Sequence, residues 1–572
     1  MRAVRVLLPV LRPLAGRDGH GRGGMLLAAA LLRCSSPHWA PRRPQPLERR
    51  LAWGAEAVAL SRAAVFRARS GAPGLLARSL ALHAQLLLQA GRYADALAAA
   101  EESLTAPDAH VPSQRTAFGH LVKTHALARL DRADEALVAA RDSVAAYRSA
   151  VPRRADRDLP LGSTAAALRA QAWVLGRAGR TAESVTIYFE CAELLRALSV
   201  WRQARLVVLQ TRVLAELIGG LRVLGRFGEA AAVGDDFRER VPPFVPWLYP
   251  EARLLRAALL IDLAWCLGAG GDLPGARATA EESVACCRAL RVSDPAVGDS
   301  VLVLALDCLA HHLDRLDAHA EERVVSEELV RIHEQLAVTD PDEREPGLAA
   351  ALDSLARCHR RDGEGPESVA VTERGVELYR RAVGRDPLLY EGELARTLCN
   401  LSIRRRMTDD ATGAMAAGDE GLAITRRLAE SGGEELRPLV ADRLRILGRA
   451  RYRAADDEGA AACFEEAETV LRELMEAGDP RAHEAGLAAA QSALAKALGA
   501  AADGHLDAGR TDEAVAALRR LRELTGRTAL TDVHAGCVSA FVRSRDRDAE
   551  GTGEAWRRMT GEAWPSFVYR LG

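Results

Sequence analysis

An all-α solenoid of antiparallel helix pairs is the fold this sequence predicts, and three observations predict it. Leucine stands at 168, 214, 260, 306, 352, 398 and 444, seven times at a spacing of 46 residues. Small residues and turn residues recur in the same register. Aromatic residues make up only 4% of a chain that is 48% hydrophobic. The core is therefore built from Leu, Val and Ala, which suits closely packed helices better than a sandwich of bulky strands.

The first helix of each pair comes from the leucines. A second leucine follows three residues later, at 217, 263, 309, 355, 401 and 447. The next residue is usually small: Ala172, Ala264, Ala310, Ala356, Ser402 and Gly448. Positions i, i+3 and i+4 share one face of an α-helix. The turn comes next, at Gly179, Gly225, Gly271, Asp317, Gly363 and Asp409, where a residue tolerant of the left-handed conformation ends the helix. The second helix then opens with another small position: Ser184, Ala230, Ala276, Ser368, Ala414 and Ala460. Two small residues facing each other let two helix backbones approach closely. Such a pair leaves an apolar face bare, so it must stack on its neighbours. Ile218 and Glu322 break the small-residue rule, which predicts looser packing there.

Units centre near Ala96, Ala136, Ser184, Ala230, Ala276, Glu322, Ser368, Ala414, Ala460 and Ala514, with residues 47–68 as the second helix of a truncated first unit. The expected organisation is a basic, disordered tail over 1–46, a solenoid over 47–525 and capping helices over 526–572. The apolar, proline-rich segment 241–247 reads as a spacer between pairs.

The skeleton Leu-x-x-Leu-Ala, then Gly, then Ala resembles the tetratricopeptide repeat. Residues Leu80 to Leu104, with Ala84, Gly91-Arg92-Tyr93, Ala96 and Ala100, carry the resemblance best, and Gly509-Arg510-Thr511-Asp512-Glu513-Ala514 is similar. The period departs from the family's usual 34 residues, and the 12 added residues lengthen each pair by about 18 Å of helix. Long-period arrays of this type are similar to those of actinobacteria, where they stand alone or beside nucleotide-switch and protease domains. The resemblance implies a right-handed superhelix whose first helices line a concave groove, and a protein–protein interaction role.

Composition narrows the chemistry. With 77 basic and 78 acidic residues the net charge is -1, which gives no general case for nucleic acid or an anionic membrane as partner. No span approaches the ~20 apolar residues of a membrane helix. The ten cysteines show no C-x-x-C spacing and most sit in apolar stretches, as small buried hydrophobes of a reducing cytoplasm do. A P-loop requires Gly-Lys, and neither Lys123 nor Lys496 follows a glycine. His333-Glu334 and His483-Glu484 begin a zincin pattern, but Ala337 and Leu487 stand where its second histidine belongs. Cys308, His311 and His312 are too few for a metal site. Cys358 and His359 are adjacent, about 100° apart on a helix, and so poorly placed as nucleophile and base. No cofactor, metal or catalytic residue is therefore expected.

The candidate groove residues are those of the first helices that are offset from the packing face: Trp265, His311, Asp314, Arg315, Arg357, Arg360, Arg361, Arg404, Arg406, Arg449 and Arg453. Each guanidinium is a planar fork able to clasp a carboxylate bidentately. The expected partner is an acidic peptide or protein segment, and the expected role a non-enzymatic cytoplasmic scaffold or adaptor. Two alternatives belong to other classes. One is a sensor arm of a signalling or transcription system whose superhelix changes on ligand binding. The other is an α/α-toroid hydrolase, which requires paired carboxylates and an aromatic sugar platform that the sparse aromatics do not favour.

Overall fold

The computed structural model describes residues 22–35, 46–105, 114–149, 158–196, 200–240, 250–432, 434–478 and 480–525, together with Glu554 and Arg557. The proline-rich segment 241–247, nearly all of the expected capping region and residues 1–21 and 36–45 of the expected tail lie outside the described residues. The chain divides into two compact units, Met1–Leu316 and Asp317–Gly572.

The N-terminal unit contains α1 (Arg22–Ser35), α2 (Leu47–Phe66), α3 (Ala72–Gln89), α4 (Tyr93–Thr105), α5 (Gln114–Arg129), α6 (Ala133–Ser149) and α7 (Asp158–Arg177). It continues with α8 (Thr181–Arg196), α9 (Val200–Val223), α10 (Phe227–Arg240), α11 (Pro250–Ala269), α12 (Leu273–Ser293) and α13 (Pro295–Arg315). The C-terminal unit contains α14 (His319–Thr339), α15 (Pro341–Arg361), α16 (Gly365–Arg385), α17 (Pro387–Met407) and α18 (Ala411–Gly432). A 3-10 turn, Glu434–Leu436, leads to α19 (Arg437–Arg453), α20 (Asp457–Ala477), α21 (Pro480–Asp507) and α22 (Thr511–Thr525). The described residues hold helices and no strand.

Within each unit every helix packs on the next one in the chain. The first helices of successive pairs also touch one another: α3, α5, α7, α9, α11 and α13 in turn, and likewise α17, α19 and α21. Their leucines make the core. Leu168, Leu214, Leu260 and Leu306 are buried in the N-terminal unit, and Leu352, Leu398 and Leu444 in the C-terminal one. The facing small residues meet as expected: Ser184 Oγ donates to the Ala172 carbonyl at 2.7 Å, and Ser368 Oγ to the Ala356 carbonyl at 2.6 Å. A second cross-helix link recurs 26 residues apart. Ser103, Ser143 and Ser283 donate to the Ala77, Ala117 and Ala257 carbonyls at 2.8, 2.9 and 3.0 Å.

Except at Asp317, the turn inside each pair closes with a backbone bond from the residue after the left-handed position to a carbonyl five residues back. Examples are Arg180 to Leu175 at 3.0 Å and Glu364 to His359 at 2.9 Å. This is the Schellman geometry. Gly179, Gly225, Gly271 and Gly363 occupy it with φ of 75°, 67°, 93° and 80°. Asp409 and Ala455 occupy it at 60° and 58°, and Asp317 is left-handed at 55°.

Between pairs, a single aspartate serves as the joint. Asp294, Asp340 and Asp386 each end one helix and cap the next, their carboxylates accepting from the Val297, Glu343 and Leu389 amides at 3.3 Å. Each is followed by Pro295, Pro341 or Pro387 in the first helical position. Proline has no N–H to lose there, and its fixed φ suits the helix start.

Two expectations are corrected, and a third is narrowed. Residues 22–35 do not belong to a disordered tail: α1 packs on α2 and α3, burying Leu27, Ala28, Leu31 and Leu32 with Trp53, Ala57 and Leu60. Apolar spacing along Met25–Leu32 gives α1 a face able to cover that first pair. Next, α13 is by length and composition apolar enough to cross a membrane. More than half of it is buried against neighbouring helices, so its apolarity serves the core. Lastly, the two rule-breaking positions do not open the core to solvent. Ile218 and Glu322 are both fully buried, and Glu322 is neutralised by arginines, as described below.

Candidate functional site

Trp265 and His311 meet in the N-terminal unit. They lie one repeat apart on α11 and α13, with ring centroids 4.6 Å apart, and both are half-buried. His312 stacks against both, at 5.4 Å from Trp265 and 5.3 Å from His311. Its imidazole is fully buried and neither nitrogen has a hydrogen-bond partner. Burial first, then the charges of His311 and Arg315, push its pKa down to about 4. Gly268 makes the room: a Cβ there would come within 2.4 Å of His312 Cε1. Arg315 turns back and donates to the Gly268 carbonyl at 2.8 Å. It thus braces α11 against α13. Asp314 is half-buried beside it. Cys308, the third member of the rejected metal cluster, lies 3.9 Å from the Ile261 carbonyl, and burial pushes its thiol up to about 12. Among the described residues no three histidine, cysteine or acidic side chains converge as metal ligands.

The arginines of the C-terminal unit divide into two sets. Arg357 and Arg361 both turn onto Glu322 of α14, at 3.1 and 2.6 Å. Glu322 stands where other units place a small residue, so its carboxylate lies between helices and depends on those two guanidiniums. Arg404 is also internal. It is 6% exposed and donates to Asp353 Oδ1 and to Thr372 Oγ1, each at 2.8 Å. Asp353 accepts further bonds from Arg396 at 2.8 Å and from Asn400 at 3.1 Å. Burial would raise the Asp353 carboxyl, but Arg404 and Arg396 outweigh it and hold it below the usual carboxylate range. The expectation that Arg357, Arg361 and Arg404 offer their guanidiniums to a partner is therefore corrected: each is used by a buried carboxylate of its own chain.

Arg360, Arg406 and Arg449 form the second set. None makes a side-chain hydrogen bond or ion pair with the described residues. Arg360 and Arg406 are half-buried at equivalent places on α15 and α17, 46 residues apart, and Arg449 is exposed on α19. Burial, and then the like charges of Arg449 and Arg453, push the Arg406 guanidinium below the usual arginine range. Arg453 itself is exposed and reaches Asp409 at 2.6 Å. Helices α17 and α19 touch, so Arg406, Arg449 and Arg453 form one cationic patch.

Cys358 and His359 point apart, as their adjacency implies. The thiol faces Ser326 at 3.9 Å, and burial pushes it up to about 11, while His359 Nδ1 pairs with Glu364 at 2.5 Å.

Sequence reasoning missed a second aromatic group in the N-terminal unit. Trp173 of α7 lies 5.6 Å from the His125 ring and carries Arg129 and Arg177 at 5.5 and 5.6 Å from its centroid. Such guanidinium–indole contacts are attractive through the ring quadrupole. The signal was present, because Trp173 and Trp265 are two repeats apart.

No family model matches this chain, and no curated protein does. Many solved structures are similar to it, and two of them are as follows. BtubC (BKLC) from P. vanneervenii is 19% identical, with 44% of this chain and 94% of that one covered, at a TM-score of 0.36. A Signal Transduction ATPase with Numerous Domains from Pyrococcus horikoshii, which carries a tetratricopeptide repeat sensor, is 11% identical. That match covers 72% of this chain and 55% of that one, at a TM-score of 0.45. At these scores neither likeness assigns this chain to a family or a function.

Proposed function

We propose that this protein is a non-enzymatic scaffold of tetratricopeptide-like helix pairs with a 46-residue period, wound in a right-handed sense, that holds an acidic peptide segment against its first helices. The observation that carries the reading is the contrast among neighbouring arginines. Arg357, Arg361 and Arg404 are consumed by internal carboxylates, whereas Arg360, Arg406 and Arg449 have none. Guanidiniums without counter-ions favour an incoming anion, and each charge-assisted hydrogen bond adds about 1.5–3 kcal/mol. The closer approach of first helices to one another supports their lining the inner side of each unit's curvature. Free cysteines, most of them buried, fit a reducing cytoplasm.

The test is fluorescence anisotropy with a fluorescein-labelled Glu-Glu-Ala-Glu-Glu peptide. The combined variant Arg360→Glu, Arg406→Glu, Arg449→Glu is expected to fold normally, because none of the three holds an internal partner, and to lose at least tenfold in affinity. Unchanged affinity in that variant discards the acidic-peptide reading.

A further inference from the structure

Gly219 lies in helix α9, just before its last turn, where glycine weakens a helix relative to alanine. Two nearby helical glycines have a steric reason. A Cβ on Gly220 would lie 2.7 Å from Val185 Cγ2, and one on Gly234 would lie 2.4 Å from Leu263 Cδ2. A Cβ on Gly219 would meet only Asp262 Oδ2, at 3.8 Å. Packing within the unit therefore does not demand this glycine.

Its position in the register gives it meaning. Trp173 stands 46 residues before Gly219, and Trp265 stands 46 residues after it, on the adjoining first helices α7 and α11. The two indoles lean in opposite directions. Trp173 stacks toward His125 and Arg129 of α5, and Trp265 toward His311 and His312 of α13. Between them the α9 backbone is left without a side chain. The nearby acids are already engaged: Glu216 by Arg169 at 2.7 Å, and Asp262 by Arg222 at 3.2 Å. Arg129 on α5 and Arg212 on α9 make no ion pair with the described residues. Arg212 is two helical turns before Gly219 on the same half-buried stripe.

We propose that this bare step is a recognition subsite for a bulky apolar side chain of an extended peptide, seated on the Gly219 backbone between Trp173 and Trp265, with flanking carboxylates paired to Arg129 and Arg212. Flat aromatic walls and an exposed backbone provide apolar area at low entropic cost, and cations at its margin select an acidic context. The subsite lies in the N-terminal unit and does not depend on the arginines of the other one.

The experiment compares labelled Glu-Glu-Phe-Glu-Glu and Glu-Glu-Ala-Glu-Glu on the full chain, using the Arg360→Glu, Arg406→Glu, Arg449→Glu variant as background. In that background the phenylalanine peptide is expected to bind at least fivefold more tightly than the alanine peptide. Adding Gly219→Leu should remove that difference while leaving the melting temperature equal or higher. Loss of selectivity in the background, or selectivity that survives Gly219→Leu, overturns the subsite. Should Gly219→Leu fail to fold, Arg129→Glu with Arg212→Glu makes the same comparison, and retained affinity for the phenylalanine peptide again overturns it. The scaffold reading fails separately, if the alanine peptide binds the background variant as well as it binds the parent chain.

Discussion

At the scale of single residues, the turn inside each pair shows what the repeat demands. Its left-handed position accepts Gly without strain and Asp at modest cost, because a short polar side chain finds local hydrogen bonds. Ala455 has neither advantage and still adopts φ of 58°. Ala455→Gly is therefore expected to stabilise the protein by about 1 kcal/mol, read as an upward shift of the urea midpoint at constant slope. His312 makes the opposite kind of prediction. Its folded pKa of about 4 lies below the ordinary value of 6.5, so the unfolded chain binds the proton first as pH falls. The stability that depends on neutral His312 is complete above pH 6.5 and is lost as pH falls towards 4. The loss amounts to about 3 kcal/mol. Urea titrations at pH 7 and pH 4.5 should show most of that loss, and His312→Gln should show less of it.

At the scale of helices, the leucine register was legible because a 46-residue repeat leaves the same positions buried each time. The joints went unread, although Asp294-Pro295, Asp340-Pro341 and Asp386-Pro387 recur at the same spacing as the leucines. The exceptions were harder. Glu322 reads in sequence as a defect in a small-residue position, because nothing local shows that Arg357 and Arg361, 35 and 39 residues later, return to it. That arrangement predicts a contrast between neighbours on α15. Arg361→Glu leaves a buried carboxylate facing a second one and should cost about 3 kcal/mol or more. Arg360→Glu, one residue away, should change stability by less than about 0.5 kcal/mol. Equal costs in thermal or urea unfolding would contradict the division of the arginines into two sets.

At the scale of the molecule, residue type identified a cationic first-helix face, but could not say which cations are free. Whether a guanidinium is available depends on carboxylates brought beside it by packing, as with Asp353 at Arg404. The same limit hid Trp173, whose significance lies in its arginine neighbours and in the empty step at Gly219. The central claim is that the first helices form the face that receives a partner. Photo-cross-linking tests it most directly, with a Glu-Glu-Ala-Glu-Glu peptide carrying a benzophenone and adducts mapped by mass spectrometry. The account predicts adducts on α15, α17 and α19, close to Arg360, Arg406 and Arg449. Adducts confined to the second helices α16, α18 and α20, or scattered evenly over both sets, would contradict it.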